Sequence, residues 1–513
     1  MTESLKLSEG PPACYQLKVK GENLDGESDE ESKMRKFTLG KRDLKHPNKT
    51  ILLVGETGSG KSTLINALVN FVMGVKFEDK LWFEIIPDEK AGPQFKSQTS
   101  EVSVYEVFGF EGTVVPYSLT IIDTPGYGDT RGIEHDGIIT KKLLELFSAP
   151  DEVSGVKSMD AVGLVLKSSK NRLDERIAYV FNSIISIFAK GMEKNIVAMM
   201  THSDGMEPNN ALQALEAAEI KYARDEDHEP VYFLFNNRQK DKRGKKETAA
   251  QYAFKITEES MSEFTDFLVE CEPRPVKEIK NVLKERARLT ACIENLKERV
   301  TSIEMEQEAI KMTKEELNRL EKDNSDSEIE ETETYKEKEA CDKKALSCTR
   351  CEETCHKECT WAFFIPLCDV MEGGVCTVCS GKCSFIFHVR EKWRYVTKIR
   401  KVTVTSEEMQ KRWDAEAKCK EKKTLLEHLQ EKLEELQRDK NKCLDDAFEA
   451  IEKLEKIALN ADSVSTYVHL KFLIEKMKEK KDTKKVRKLE KIKYKIEQTC
   501  KGGASYFGRH HST

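Results

Sequence analysis

Residues 55–62 read Gly-Glu-Thr-Gly-Ser-Gly-Lys-Ser, the spacing G-x-x-x-x-G-K-[ST], directly after an apolar run at 51–54 and directly before a segment, 62–72, with helical apolar spacing. A glycine-rich loop in that setting turns tightly enough to aim backbone N–H groups at phosphate oxygens, and the helix that follows adds the positive end of its dipole. Lys61 supplies a point charge to the β and γ phosphates, and the Ser62 hydroxyl is a ligand for Mg2+. Gly55, Glu56, Thr57, Gly58, Ser59, Gly60 and Thr63 complete the expected phosphate cradle. The loop demands a strand on one side and a helix on the other. Further apolar runs at 102–108, 119–122, 161–166, 196–200 and 231–235 alternate with helical stretches such as 177–189. An α/β P-loop domain is expected, with a mainly parallel sheet and flanking helices.

The remaining elements of a nucleotide site follow in order. Asp123-Thr-Pro-Gly126 comes at the end of the run 119–122, where an Asp holds Mg2+ through water and the Gly126 N–H meets the γ phosphate. Thr99 lies in a polar stretch before the run 102–108, placed to close over Mg2+ as a switch threonine. Asp204, in Thr201-His-Ser-Asp204 after the run 196–200, supplies the carboxylate that guanine's N1–H and exocyclic amine require. His202 is placed to cover the base face, and Asn236 and Asn237, after the run 231–235, complete the base pocket.

These motifs, GETGSGKST, DTPGYGDTRG, THSD and the later FNN, together with segments around 171–173, 188–191 and 194–196, resemble the immunity-associated (GIMAP or AIG-type) GTPases of the septin/Toc-like P-loop branch. The resemblance covers about residues 45–270. It implies that Lys61 and Ser62 bind phosphate and Mg2+, that Thr99 is the switch I threonine, that Asp123 and Gly126 form switch II, and that Asp204 reads guanine. It also implies pairing of two copies through the nucleotide face and a role in cell defence. The base motif departs from Asn-Lys-x-Asp by reading Thr-His-Ser-Asp. Ras-like enzymes place a water-orienting Gln after the D-x-x-G glycine, whereas this chain has Tyr127. The expectation is a slow, self-associating GTPase switch with Thr99 and Lys61 as its catalytic residues; the alternative is a nucleotide-binding scaffold that does not hydrolyse. Arg131 is a candidate for a group donated across the pair, with plain surface charge as the alternative.

The chain has 513 residues, more than one core accounts for, and its 34% charged against 38% hydrophobic content suits long solvated helices beside a globular domain. Net charge of -6 offers no general field for nucleic acid, and none is expected as a partner. No apolar run approaches membrane-spanning length, MTESLKLSEG lacks a signal-peptide core, and no lipidation motif is present, so a cytoplasmic protein is expected. A basic stretch at 476–495 reads as a solvated helix face rather than a membrane or nucleic-acid contact.

In a reducing compartment the fifteen cysteines read as reduced or metal-bound. From Cys348 the chain runs C-x-x-C-x-x-x-C-H-x-x-C, then Cys368, then Cys376-x-x-Cys379-x-x-x-Cys383 and His388. Soft ligands at this density suit one or two structural Zn2+ ions. The expected set is Cys348, Cys351, Cys355, Cys359, Cys376, Cys379, Cys383 and His388, with His356 and Cys368 in reserve and the partition between sites open. Upstream, a heptad series puts apolar residues at Val282, Leu289, Leu296, Ile303, Ile310 and Leu317. It reads either as a dimerising or partner-binding coiled coil or as a hairpin folding on itself. The expected order is a mostly disordered acidic segment at 1–44, an AIG-type G domain at 45–272, a coiled coil at 276–322, an acidic linker at 323–340, a zinc knot at 341–395, a helical region at 405–500 with a basic end, and a tail at 501–513.

Overall fold

The computed structural model describes residues 4–24, 34–41, 46–86, 102–108, 114–126, 142–143, 145–147, 156–170, 178, 181–182, 184–244, 247–323, 329–359, 364–404, 425–459 and 464–499. Thr99, Tyr127 and Arg131 lie outside the described residues, as do 405–424 and the tail 501–513. The chain divides into two compact units, one built mainly from residues up to 283 and the other mainly from 284–456 and 468–491.

The N-terminal segment corrects the expectation of disorder. It supplies β1 (Ser4–Ser8), β2 (Ala13–Leu17), β3 (Lys20–Asn23) and β4 (Met34–Leu39). Only parts of it lie outside the described residues. Leu17, Met34 and Leu39 are at most 1% exposed, so a few apolar side chains anchor β2 and β4 among mixed neighbours. Short strands of such mixed composition carry too weak a pattern to be seen in sequence.

The domain core follows: β5 (Asn48–Gly55), α1 (Lys61–Val72), β6 (Leu81–Glu84), β7 (Val102–Val107), β8 (Ser118–Asp123), β9 (Ala161–Lys167), β10 (Ile196–Thr201), α2 (Asn209–Ala217), β11 (Tyr232–Leu234) and α3 (Glu247–Glu270). An eight-stranded sheet runs β11-β10-β9-β5-β8-β7-β4-β3. Strands β11 through β8 are parallel, as are β4 and β7, while β7 pairs antiparallel with β8 and β3 with β4. The expected mainly parallel sheet is thus present. Ile51, Leu52, Leu53 and Val54 are at most 2% exposed, which is why this strand reads as an unbroken apolar run: both faces of the sheet are covered. Because β5 occupies a central place, the loop leaving its C-terminal end sits where an α/β sheet holds its ligand.

The second unit is built on α4 (Val276–Asp323), β12 (Ile329–Cys348), β13 (Glu353–His356), β14 (His388–Val404), α5 (Leu425–Ile457), α6 (Val464–Glu479) and α7 (Thr483–Thr499), the ends of α4, α6 and α7 belonging to the first unit. The acidic linker expected at 323–340 is, from 329 onward, one strand of a long antiparallel pair with β14, in a register that sets Cys348 opposite His388. Alternating Glu and Lys across from Lys and Arg made this strand look like a linker; partners such as Lys398–Glu337 at 2.8 Å use those charges across the ladder. In α4, Leu289, Leu296, Ile303 and Ile310 are no more than 6% exposed. Val300, Ile303 and Gln307 share a groove with Lys440 and Glu479, themselves joined at 2.8 Å, so the heptad stripe is covered within one chain. The side chain of Leu317 lies outside the described residues. No helix among the described residues is long and apolar enough to cross a membrane.

Candidate nucleotide site and cysteine clusters

Gly60, at φ 94°, starts α1 with no side-chain cap, so the first N–H groups of the helix stay unclaimed by side chains. Gly58 at φ 75° makes the preceding turn. Lys61 folds back across the loop and donates to the carbonyls of Gly55 at 2.8 Å and Glu56 at 3.3 Å. Ser62 is half-buried behind it and Thr63 is exposed. Lys170 pairs with Glu56 at 3.0 Å, a bridge over the loop that no sequence motif announces.

Asp123 ends β8 with 0% exposure, and both of its carboxylate oxygens are buried without a hydrogen-bond partner. Burial pushes this carboxyl up to about 6, against the pull of Lys61, and burial pushes Lys61 down to about 8 with Asp123 opposing. A fully buried, unpartnered carboxylate facing a lysine is costly unless a cation or its bound water completes it. The donor set of Ser62, Asp123 and the loop N–H groups therefore fits a Mg2+-bound polyphosphate. Thr124 anchors the turn by donating to the Leu53 carbonyl at 2.8 Å. Gly126 then packs on the phosphate loop: a Cβ there would lie 2.3 Å from Thr57 Oγ1 and 2.6 Å from its Cα. Gly126→Ala should consequently push the two loops apart, weakening nucleotide binding by about 5- to 150-fold, the effect of about 1–3 kcal/mol of overpacking. Fluorescent-nucleotide titration checks this; unchanged affinity would contradict it.

The base-reading residues come together from neighbouring strand ends. Thr201 donates to the carbonyls of Ser59 at 2.6 Å and Leu166 at 3.0 Å, tying the third motif to the phosphate loop. His202 sits at φ 54° with its ring half-exposed, and partial burial, Lys167 and Arg238 all hold it below the usual imidazole range. A neutral ring is what a base-covering role needs. Asp204 is exposed, its Oδ1 accepting from the Met206 N–H at 3.0 Å. Asn236 donates to the Ser203 carbonyl at 2.7 Å, while its Oδ1 and the Asn237 Nδ2 are buried without partners. Thr257 on α3 accepts from the Asn236 N–H at 3.0 Å and donates to Asn237 Oδ1 at 3.4 Å. A lone Thr on an amphipathic helix carries no signal in sequence, so this support was not foreseen.

In the second unit the cysteines sort into separate groups. Cys348, Cys351, Cys379 and Cys383 face one another, as do Cys355, Cys376, Cys379 and His388, so the two sets share Cys379. His356, Cys359 and Cys368 form a further group. The partition left open in the sequence is set by this grouping: Cys359 stands apart from the two larger groups, with His356 and Cys368. No disulfide joins the cysteines among the described residues. Cys351 and Cys383 sulfurs are 3.5 Å apart, close to the edge of about 3.7 Å that a tetrahedral ion with Zn–S bonds of about 2.3 Å requires. Backbone N–H groups point at the sulfurs, Cys351 N at Cys348 and Cys379 N at Cys376, each at 3.4 Å. The His388 Nδ1 meets the Ser384 carbonyl at 3.0 Å, leaving Nε2 buried without a partner, the orientation of a metal-binding imidazole. A Cβ on Gly381 would come within 2.9 Å of the Cys383 sulfur and 3.1 Å of that of Cys351, so this turn admits only glycine beside the sulfurs. These residues fit zinc. Arg299 fastens α4 to the knot through Glu353, with contacts of 2.7 and 2.8 Å, and Glu353 also accepts from the Ser380 N–H at 3.0 Å.

Comparison with known proteins bears on the first unit. Residues 49–259 match the family model described as AIG1 family. Septin-1 of Drosophila melanogaster is 41% identical over 83 residues, 16% of this chain and 19% of that protein. Septin-2 of Mus musculus is 40% identical over 80 residues, again 16% and 19%. The chain thus spans about a fifth of the length of these curated relatives. Among solved structures, Arabidopsis thaliana Toc33 in complex with Mg2+ and GMPPNP aligns over 45% of this chain and 89% of its own, at 17% identity and TM-score 0.30.

Proposed function

With residues 49–259 an AIG-type G domain of the septin- and Toc-like GTPase branch, we propose that the chain is a guanine-nucleotide switch that hydrolyses GTP slowly and changes its self-association with nucleotide state. The observation that carries this reading is a buried Asp123 whose oxygens have no partner, near the buried Lys61 at the mouth of a P-loop. With nucleotide bound, Lys61 would leave the loop carbonyls to meet the β and γ phosphates, Ser62 and Asp123 would hold Mg2+, and Thr99 would close over it; the ion would supply positive charge against the phosphates. Asp204 accepts from guanine, Thr201 holds that loop on Ser59, His202 covers the base, and Asn236 and Asn237 bound its pocket. Adenine would leave the Asp204 carboxylate unpaired.

Slow turnover follows from Tyr127 standing where Ras-like enzymes carry a water-orienting Gln. Groups supplied by a second copy add about 10³- to 10⁵-fold to such sites, with Arg131 the candidate for that contribution and plain surface charge its alternative. GTP turnover per chain should therefore rise with protein concentration, and the chain should be larger in a GTP analogue than in GDP by light scattering. Turnover independent of concentration removes the self-association half of the proposal. A non-hydrolysing scaffold is the second reading, favoured by the same Tyr127; a single-turnover assay with and without Mg2+ separates the two.

The Cys-rich end of the β12–β14 pair we read as a zinc-stapled knot carrying the helical unit, with Cys348, Cys351, Cys355, Cys376, Cys379, Cys383 and His388 as ligands of two ions. The orphaned His388 Nε2 supports this. Helical surfaces of the second unit are the candidate contacts for protein partners. A cytoplasmic location and a role in cell defence are proposals from the family resemblance, checked by imaging and by expression in challenged cells.

A further inference from the structure

Resting on the zinc reading of the knot, we propose that His356, Cys359 and Cys368 form a third zinc site, mononuclear and with one coordination position open to water or an exogenous ligand, beside the pair of sites that share Cys379. The His356 Nδ1 lies 3.3 Å from the Cys368 sulfur, and the Cys359 and Cys368 sulfurs are 3.5 Å apart. Three donors at such spacings describe one face of a tetrahedron with zinc bonds of about 2.0–2.3 Å. Cys359 is 2% and Cys368 4% exposed, so the sulfurs are withdrawn from solvent.

Strand geometry separates this group from the shared pair. Cys355 and His356 are the last residues of β13, and successive strand side chains point to opposite faces. Cys355 turns to the Cys376, Cys379 and His388 side, so His356 must serve the other side, where Cys359 and Cys368 meet it. The backbone around the ligands is pinned independently of any ion. The Cys359 N–H donates to the Lys344 carbonyl at 2.8 Å and the Cys368 N–H to the Ile365 carbonyl at 3.0 Å, while Arg390 donates to the Cys359 carbonyl.

Charge and ligand count set the character of the site. Two thiolates and a neutral imidazole balance Zn2+, so the filled site is neutral and suits partly buried surroundings, whereas six thiolates around two ions leave the shared pair negative. Among the described residues three protein ligands rather than four meet here, which leaves a position for a fourth donor, as in zinc centres that exchange a ligand, and holds the ion less firmly than the shared pair.

The test is zinc content of the full-length chain after gel filtration, by mass spectrometry, with release followed by a pyridylazo chelator. The wild type should carry about three zinc ions, of which about one is released in a fast phase. Cys368→Ser and His356→Gln should each hold about two, lose the fast phase and keep the wild-type circular dichroism. A wild type with two zinc ions, or variants with the wild-type content and fast phase, would overturn the third site and leave the shared pair standing. A wild type without zinc would instead overturn the knot reading itself.

Discussion

Stripping zinc from the full chain should unfold the end of the β12–β14 pair while leaving nucleotide affinity unchanged. The knot holds few large apolar side chains in its own interior; among its buried residues are Cys348, Cys355, Cys376, Cys379 and Cys383 themselves, with Leu346, Val370 and Val378. Binding of structural zinc is worth about 10–16 kcal/mol, more than such a small apolar set supplies, so the ions decide whether this segment is folded. The nucleotide site belongs to the other compact unit, with its core of Ile51, Leu53, Leu119, Ile121, Phe235 and Phe264, and the cysteine clusters among the described residues all lie outside it. Limited proteolysis after treatment with a strong chelator should cut first within 341–395, and re-adding zinc should restore resistance. Resistance that survives complete zinc loss would show that side-chain packing alone folds the knot.

Lys61→Ala should weaken GTP binding by about 30- to 5000-fold. Removing a buried cation that would bind the phosphates costs about 2–5 kcal/mol, and here the loss also takes away the charge that opposes burial of the Asp123 carboxylate. The wild type should show a pH signature that the variant lacks. Burial holds Lys61 at about 8 in the free chain, so above that pH most chains carry a neutral amine. Phosphate binding favours the ammonium form, and the complex must then take up a proton. Affinity should accordingly be flat between about pH 6, where the Asp123 carboxyl gains its proton, and about pH 8, and fall by up to tenfold per pH unit above that. In Lys61→Ala that slope disappears, measured by calorimetry or nucleotide fluorescence in buffers of constant ionic strength. A wild-type affinity without this slope would mean that Lys61 already carries its proton through an arrangement different from the observed one.

The nucleotide half of the molecule was legible because its signals are local. Each of the runs 51–54, 119–122, 161–166 and 196–200 is a strand covered on both faces, and the described site residues stand at or follow the C-terminal ends of these strands or of the edge strand β11. The antiparallel β7, the strands between Ser4 and Leu39 and the support from Thr257 were not legible, since each depends on a neighbour distant in the chain. The heptads of α4 announced burial but not the occupant, because an apolar stripe looks the same whether its cover is a second copy or helices of the same chain.

Sequence alone, then, determined that a phosphate loop follows a buried strand, that a carboxylate and a guanine-reading segment come later in fixed order, and that the cysteines gather as soft ligands. Those are consequences of residue type and short spacing. Only the tertiary structure decided which sulfur faces which, that Cys379 stands between two sets, and that His356 and Cys359 turn away from both. Ligand partition depends on strand direction and on the register that sets Cys348 opposite His388, forty residues along the chain, and no spacing rule encodes that register.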